Sequence, residues 1–281
     1  AINYWCLCRV EGMWFFDLRA QDHLGDPAHF APRLHLWRTA PGDLVGLALS
    51  EGLRNVYVIT DPEHRAVAPQ AYDWVEHHWA AGLPLTTYAD ARDAERLRLL
   101  SELGFELKGE AEYMRTYDLT QVALAYALPP GFTIKDVTRT NDDWARSLLR
   151  HRVFRPDQPL PESSSDPSAP TLASMPEQFS YVRALDLAVY APGDDPVAFA
   201  CGWIDRKHLL AEVEPVGTHP DFRRRGLAKA VITECFKRMA ARGVRYVHIS
   251  SAPEPAVSNR LYESLDPIDH QRFLRFVKGG V

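Results

Sequence analysis

Residues 218–230 read Thr218-His219-Pro220-Asp221-Phe222-Arg223-Arg224-Arg225-Gly226-Leu227-Ala228-Lys229-Ala230. The stretch leaves an apolar segment, crosses a basic loop with one glycine and enters a pattern typical of a helix. The free N–H groups of a first helical turn and the positive end of the helix dipole attract phosphate. Gly226 lets the backbone approach such a ligand, and the arginines add charge-assisted contacts. The stretch therefore predicts a phosphate-binding loop at a helix N-terminus.

The helix after this loop is supported by its own periodicity. Apolar residues recur every four positions at Leu227, Val231, Cys235 and Met239, and Gly243 is placed to end the helix. The loop lacks the Gly-Lys-Ser/Thr of a Walker A motif and two of the three glycines of a dinucleotide-binding fingerprint. The residues alone thus predict a phosphate-bearing ligand without identifying it, and an ordinary basic helix start on a solvated surface stays open.

A second stretch, about 30 residues further on, reads Ser258-Asn259-Arg260-Leu261-Tyr262-Glu263-Ser264-Leu265. Together the two stretches resemble the GNAT superfamily of acyl-CoA N-acyltransferases. In that family the pattern Arg/Gln-x-x-Gly-x-Gly/Ala holds the coenzyme A pyrophosphate, and residues 223–228 match it. The family's later Asn-x-x-Leu-Tyr-Glu-x-Leu helix packs beside the pantetheine arm, and residues 259–265 match that.

The resemblance implies an α/β (α+β) fold in which a mixed, mostly antiparallel sheet is flanked by helices. The order β-α-β-β-β-α-β-α-β can be followed through the second half of the chain. Its predicted strands are 132–137, 185–190, 197–204, 208–218, 246–250 and 272–277, and its first predicted helix is 141–154.

The first half of the chain echoes the second. Residues 56–65 lead into a helical stretch at 69–81, and residues 98–105 resemble the second motif. The loop glycine is absent there, however, and Pro69 removes a backbone N–H. We predict two GNAT-like domains in tandem: 1–128, degenerate and without a cofactor site, and 129–281, catalytic. This arrangement resembles mycothiol synthase-like acetyltransferases; an unrelated α/β cap domain in the first half is the open alternative.

The resemblance also implies which residues bind the co-substrate, acetyl-CoA. The backbone of residues 216–218 would pair with the pantetheine arm like an added strand, the 223–229 loop would hold the pyrophosphate, and Asn259 would hold the pantetheine amides. The predicted coenzyme-binding residues are Val216, Gly217, Thr218, Arg223, Arg224, Arg225, Gly226, Leu227, Ala228, Lys229 and Asn259. No metal is expected.

Aminolysis of a thioester needs a base for the protonated amine and an acid for the thiolate leaving group. Tyr262 is the candidate acid, because the family's tyrosine at this place lies near the coenzyme sulfur. Glu212 and Glu214 are candidate bases, since residues two apart on a strand share one face. Glu212 is the closer match to the family's glutamate, and Pro215 suggests a bulge or a kink. Two carboxylates on a solvated edge strand, or His208 as the base, are the alternatives.

Composition narrows the class of protein. The 281 residues carry a net charge of −5, so a nucleic-acid coat is not expected. Four cysteines are too few for a disulfide scaffold, and Cys6 and Cys8 are predicted to pack in a strand. No run of about 18 apolar residues predicts a membrane span. No signal peptide is visible, so the cytoplasm is the expected location.

Two further patterns are interpreted without a specific function. The pair His77-His78 lacks a matching second ligand pair, so an exposed helix face is preferred over a metal site. Residues 155–177 contain six prolines and are predicted to form a loop, either a lid or a plain connection.

The sequence therefore predicts an N-acetyltransferase that moves an acetyl group from acetyl-CoA to a primary amine by direct attack. A small-molecule acceptor is expected, with neither nucleic acid nor membrane as partner, and the oligomeric state is left open. The chief rival is an acyl-CoA-binding sensor or regulatory module without turnover. Binding of another phosphate cofactor or of nucleic acid through Arg223–Arg225 is the weakest alternative, because aromatic and basic residues do not interleave.

Overall fold

The computed structural model describes residues 31–51, 54–80, 82–140, 143–163, 181–206 and 209–279. Cys6, Cys8, His208 and most of the proline-rich segment 155–177 lie outside these ranges. Packing divides the chain into two compact units. Unit 1 comprises residues 1–114, 250–255 and 270–281, and unit 2 comprises residues 115–249 and 256–269.

The units are not contiguous halves of the sequence. Residues 115–128 pack with unit 2, and the last strand, His270 onwards, packs with unit 1. The register explains the second assignment, because six residues at the end of the chain pair antiparallel with residues 85–90. The division into domains 1–128 and 129–281 stays a prediction, and the packing units differ from it at these two strands.

Unit 1 contains a sheet in the order β1-β2-β3-β4-β11-β5. Its strands are β1 (Leu34–Arg38), β2 (Leu44–Glu51), β3 (Asn55–Thr60), β4 (Leu85–Asp90), β5 (Glu106–Asp118) and β11 (Asp269–Lys278). Neighbours β1–β2, β2–β3 and β4–β11 are antiparallel, whereas β3–β4 is parallel. The Val-Tyr-Val-Ile run of β3 is buried, as expected for a central strand.

Two helices accompany this sheet: α1 (Ala68–Val75) and α2 (Ala94–Glu102). The helix predicted for 69–81 is α-helical only to Val75, and a π-helical turn, Glu76–Ala80, follows it. Apolar side chains of both helices, among them Tyr72 and Leu100, share one core with the strands.

Unit 2 contains a sheet in the order β5-β10-β9-β8-β7-β6. Its further strands are β6 (Thr133–Asp136), β7 (Tyr181–Tyr190), β8 (Pro196–Asp205), β9 (Leu210–Thr218) and β10 (Tyr246–Ser251). Strands β6 to β9 are antiparallel neighbours, whereas β9 and β10 run parallel. The predicted mixed, mostly antiparallel sheet is confirmed.

The helices of unit 2 are α3 (Val137–Thr140), α4 (Asp143–Phe154), α5 (Leu227–Ala240) and α6 (Ala256–Glu263). The predicted stripe of α5 is fully buried against Leu185, Leu187 and Val189 of β7. Helix α4 packs Leu149 against the intervening residue Ala188. Because side chains alternate along a strand, α4 and α5 cover opposite faces of the sheet. Within the described ranges, no helix combines the length and the apolar character that crossing a bilayer requires.

Candidate active site

Strands β9 and β10 pair only at their first three residues. The register runs Leu210↔Tyr246, Ala211↔Val247 and Glu212↔His248. Strand β9 then continues to Thr218 with no further β10 partner in the described register, while its other edge stays paired with β8. The backbone edge at residues 216–218 is therefore open to an added extended ligand.

A bulge accompanies this divergence. Ala200 of β8 opposes Val216 and Gly202 opposes Val213, so two residues of β9, Glu214 and Pro215, stand against one residue of β8. Proline has no N–H to give to the ladder, which explains why the extra residue is accommodated there. The bulge predicted at Pro215 is confirmed.

The connection from β9 to α5 has the local geometry of an anion-binding loop. A 3₁₀ turn, Pro220–Phe222, follows the strand, and Gly226 at the N-cap is left-handed with φ 77°. No atom would lie within 4 Å of a Cβ at Gly226. The glycine offers no side-chain cap to the first turn of α5, so those N–H groups face the position where an anion would bind.

The arginines of the loop are exposed and are held by local contacts. Arg223 Nε donates to the carbonyl oxygen of Thr218 at 3.3 Å, and Arg225 Nη2 donates to that of Asp221 at 3.4 Å. The Arg225 guanidinium carbon lies 5.1 Å from the ring centre of Phe222. Arg224 has a left-handed backbone with φ 64°. Three positive charges thus surround the start of the helix.

The remaining loop residues differ in what they can offer. The side chain of Leu227 is buried in the core and Ala228 is half-buried, so their backbone N–H groups are the parts available to a ligand. Lys229 Nζ donates to the carbonyl oxygen of Ser264 at 2.7 Å, just after the end of α6. The ammonium group of Lys229 therefore joins two helices in this structure.

Asn259 and Tyr262 lie one turn apart on α6, and Arg115 of β5 connects them. Arg115 Nη2 donates to Asn259 Oδ1 at 2.8 Å, and its Nε donates to Glu263 Oε1 at 2.5 Å. The Arg115 guanidinium carbon lies 5.8 Å from the centre of the Tyr262 ring. Tyr117, also on β5, donates from its hydroxyl to the backbone carbonyl oxygen of Tyr262 at 3.0 Å. The structure thus places two residues that the sequence analysis missed beside the candidate acid.

The surroundings of Tyr262 favour its neutral form. Burial raises its pKa, the negative charge of Glu214 raises it further, and the positive charge of Arg115 lowers it, with a result of about 12. Tyr262 is only 7% exposed and belongs to the core cluster of unit 2. A phenol of this kind keeps its proton at neutral pH and suits the role of a proton donor.

The two candidate bases differ in accessibility. Glu212 is 2% exposed, opposite Trp203 of β8 and His248 of β10 in the register. Glu214 is half-buried, and its negative charge raises the pKa of Tyr262. His248 is half-buried, and its removal from water lowers its pKa to about 4; its Nδ1 lies 3.0 Å from Thr116 Oγ1.

The corresponding connection of unit 1 has a different geometry. A 3₁₀ turn, Pro62–Val67, runs directly into α1, and Ala68 there has φ −58° instead of a left-handed value. Its N–H donates to the carbonyl oxygen of Arg65. A cavity of about 250 Å³ opens beside this turn, but the Arg65 side chain at its wall is bound to Asp93 at 3.1 Å. Backbone amides are thus not presented here as they are at Gly226.

Metal ligands are not clustered in the described part of the chain. No group of three or more histidine, cysteine, aspartate or glutamate side chains there could hold a metal ion. In the predicted histidine pair, Nδ1 of His77 lies 2.8 Å from the carbonyl oxygen of Asp73, and Nδ1 of His78 lies 2.7 Å from that of Trp74. Both histidines are exposed on the turn that follows α1.

Comparison with known protein families gives a match in the second half of the chain. A model described as the acetyltransferase (GNAT) family matches residues 148–266. The span includes the β9–α5 loop, both strand glutamates and Tyr262. No curated protein matches the chain.

Solved structures match almost the whole chain. A GCN5-related N-acetyltransferase from Sphaerobacter thermophilus is 20% identical with a TM-score of 0.64, covering 88% of this chain and 81% of that one. A tandem GNAT protein from the clavulanic acid biosynthesis pathway is 14% identical with a TM-score of 0.63, covering 92% and 87%. A GCN5-related N-acetyltransferase from Kribbella flavida is 16% identical with a TM-score of 0.57, covering 95% and 96%. At these identities the likeness is one of fold. Residues 148–266 are thus similar to the acetyltransferase (GNAT) family, and the fold of almost the whole chain is similar to that of GNAT proteins, a tandem GNAT protein among them.

Proposed function

We propose that the chain is an N-acetyltransferase that uses acetyl-CoA to acetylate the primary amine of a small molecule, and that unit 2 carries the reaction. The observation that supports this most directly is a convergence of three features. The open edge of β9, the Gly226 loop and the buried, protonated Tyr262 all belong to unit 2. An acyl-CoA has three parts that match them: an amide-bearing arm, a pyrophosphate and a thioester.

The residues present fit such a coenzyme. The edge at Val216–Thr218 can exchange backbone hydrogen bonds with the pantetheine amides. The first-turn N–H groups of α5 and Arg223–Arg225 can hold the pyrophosphate. Asn259, on α6, can hold the pantetheine arm. The ammonium group of Lys229 donates to the carbonyl oxygen of Ser264 in this structure. It must leave that oxygen before it can bind the coenzyme at the edge of the site.

The chemistry supplied by the bound coenzyme is an activated acyl group on sulfur. A glutamate on β9 takes a proton from the ammonium form of the acceptor, so that the free amine can attack the carbonyl carbon. The C–N bond forms, the nitrogen loses its second proton to solvent, and the C–S bond breaks. Tyr262 gives its proton to the departing sulfur and regains one from solvent. The products are the amide and the free thiol, with one proton released to solvent.

The geometry favours Glu214 as the proton acceptor, whereas the family resemblance points to Glu212. A base must reach the amine, and Glu214 is half-buried and electrostatically coupled to Tyr262. Glu212 is 2% exposed, so it would act through a relay. The N-terminal domain, residues 1–128, is proposed to lack a cofactor site, because its turn presents no counterpart of Gly226.

The test is a calorimetric titration of acetyl-CoA into the full chain and into an Arg225→Glu/Gly226→Asp double variant. Its matched control is Arg242→Glu/Gly243→Asp, the same residue pair at the other end of α5, where Gly243 has φ 83°. We expect one site per chain, lost in the first variant and kept in the control. A second site would overturn the prediction of a degenerate first domain, and no binding would overturn the proposed function. Binding without thiol release across an amine screen would favour the sensor.

A further inference from the structure

Arg115 is a buried cation outside the stretches that carry the family motifs. Its side chain is 3% exposed, although it belongs by sequence to the predicted N-terminal domain. A guanidinium group is costly to bury unless its donors are paired. Two of its partners in this structure are Asn259 and Glu263, both on α6 and both more than 140 residues away in sequence.

The two contacts hold successive turns of α6. Asn259 and Glu263 are four residues apart, so they lie on one face of the helix. The planar fork of arginine can bind both at once, through Nη2 and Nε, which a lysine cannot reproduce. Arg115 thereby fixes the segment of α6 that contains Tyr262.

The contact with Asn259 also fixes the direction of its amide. Because Oδ1 accepts from Arg115, the Nδ2 group of Asn259 is directed to the other side. A donor directed in this way suits a carbonyl oxygen of the pantetheine arm and does not suit its N–H groups.

The charge of Arg115 acts on Tyr262 as well. When a tyrosine donates its proton it becomes a phenolate, and a nearby cation stabilises that anion. Among the described residues, the charged and titratable groups placed near Tyr262 include Arg115 and Tyr117 from β5, Glu214 from β9 and Glu263 from α6. Among them Arg115 supplies the positive charge, at 5.8 Å from the ring centre.

We propose that Arg115 is a positioning residue of the acyltransferase: its fork orients the Asn259 amide as a donor to the coenzyme, and its charge stabilises the Tyr262 phenolate left when the thiol departs. The inference rests on the proposed function. When the C–S bond breaks, its electron pair stays on sulfur. The Tyr262 O–H bond then breaks as the sulfur gains the proton, and the phenolate regains a proton from solvent.

The first test needs no turnover. 3,5-Difluorotyrosine, whose phenol is more acidic, is placed at position 262 and titrated by absorbance in the coenzyme-free chain. We expect Arg115→Met to raise the pKa of this phenol by about one unit, the low end of the range for loss of an opposite charge. The control is Arg245→Met, which removes another arginine bound to β5, through Asp118, and should leave the titration unchanged. An unchanged pKa in Arg115→Met would overturn the proposal.

The second test separates positioning from mere support of the fold. We expect Arg115→Met to lower kcat about tenfold in the wild-type background and not at all in Tyr262→Phe, because residues that act as a unit are not additive. If Arg115→Met lowers kcat by the same factor in both backgrounds, Arg115 does not act through Tyr262. If Arg115→Met does not fold, Arg115→Lys replaces it. That variant keeps the charge, so the pKa and kcat should hold while acetyl-CoA binds about tenfold more weakly through the lost Asn259 contact.

Failure of the proposed function gives a different pattern. If the proposed function is wrong, the wild-type protein does not bind acetyl-CoA. The fluorotyrosine titration then still decides whether Arg115 controls the acidity of Tyr262. If that titration shifts as expected but acetyl-CoA is not bound, the orienting role of the Asn259 amide toward the coenzyme is overturned.

Discussion

The hydroxyl of Tyr117 donates a hydrogen bond of 3.0 Å to the backbone carbonyl oxygen of Tyr262. Tyr117 is fully buried and Tyr262 nearly so, and the bond ties the last turn of α6 to strand β5. The carbonyl groups of a last helical turn have no partner within the helix. The Leu265 N–H supplies one partner for Tyr262 just beyond the helix, at 3.1 Å, and Tyr117 supplies a second. The Tyr262 phenol is thereby kept in the environment that raises its pKa.

Replacement of Tyr262 by phenylalanine should lower kcat by about 100-fold or more, the usual contribution of a positioned acid. The ring still fills its place in the core, so the affinity for acetyl-CoA should change little. Steady-state kinetics with thiol detection and calorimetry measure the two quantities. Equal loss of kcat and of coenzyme affinity would assign Tyr262 to binding and not to proton transfer.

The raised pKa of Tyr262 also makes a prediction about stability. The native pKa is about 12 and the ordinary value is 10.0, so deprotonation favours the unfolded chain. The contribution is fully present below pH 10 and is lost as the pH rises towards 12, by about 3 kcal/mol in total. Urea denaturation between pH 8 and about 11 should show wild type losing stability faster than Tyr262→Phe. Parallel curves would show that Tyr262 is not shielded as the structure indicates.

The roles of Glu212 and Glu214 can be distinguished by replacing each with the isosteric glutamine. Glu214→Gln should lower kcat about 100-fold, remove the acidic limb of the pH–rate profile and lower the pKa of Tyr262, because Glu214 raises that pKa. Glu212→Gln should keep the acidic limb. If Glu212→Gln removes the acidic limb and Glu214→Gln keeps it, Glu212 is the base.

Local features of the site could be predicted from the sequence, whereas contacts across the sheet could not. The Arg-rich loop with Gly226, the helix after it and the bulge at Pro215 depend on residues close together in the chain. Arg115 and Tyr117 meet α6 across more than 140 positions, and a single sequence contains no signal for such a pairing. The packing of the last strand with unit 1 was missed for the same reason.

Gly226→Ala tests the loop with little change elsewhere. Its φ of 77° costs an alanine about 1–2 kcal/mol, although no atom would lie within 4 Å of the new methyl group. Acetyl-CoA should bind at least tenfold more weakly, since the Cβ stands where the backbone must approach the phosphate. Gly243→Ala, with φ 83° at the far end of α5, should lose similar stability and no affinity. Equal affinity of the two variants would exclude the Gly226 loop as the phosphate site.

Removal of one charge from the buried ion pair between α4 and β7 should destabilise the protein strongly. Asp186 is fully buried and accepts from Arg146 Nη2 and from the hydroxyl of Tyr181, the latter at 2.9 Å. Asp186→Asn leaves the Arg146 guanidinium buried without its counter-charge, which typically costs about 3–5 kcal/mol.

The matched control for that pair is Asp194→Asn, which breaks an exposed pair with Lys135. Asp194 has φ 71°, a conformation that asparagine also tolerates, so this variant should lose less than about 1 kcal/mol. Denaturant unfolding of both variants at one pH gives the comparison. The two losses should differ by more than twofold, because water screens the Lys135 pair and not the Arg146 pair; similar losses would mean that solvent reaches Asp186 as readily as it reaches the surface.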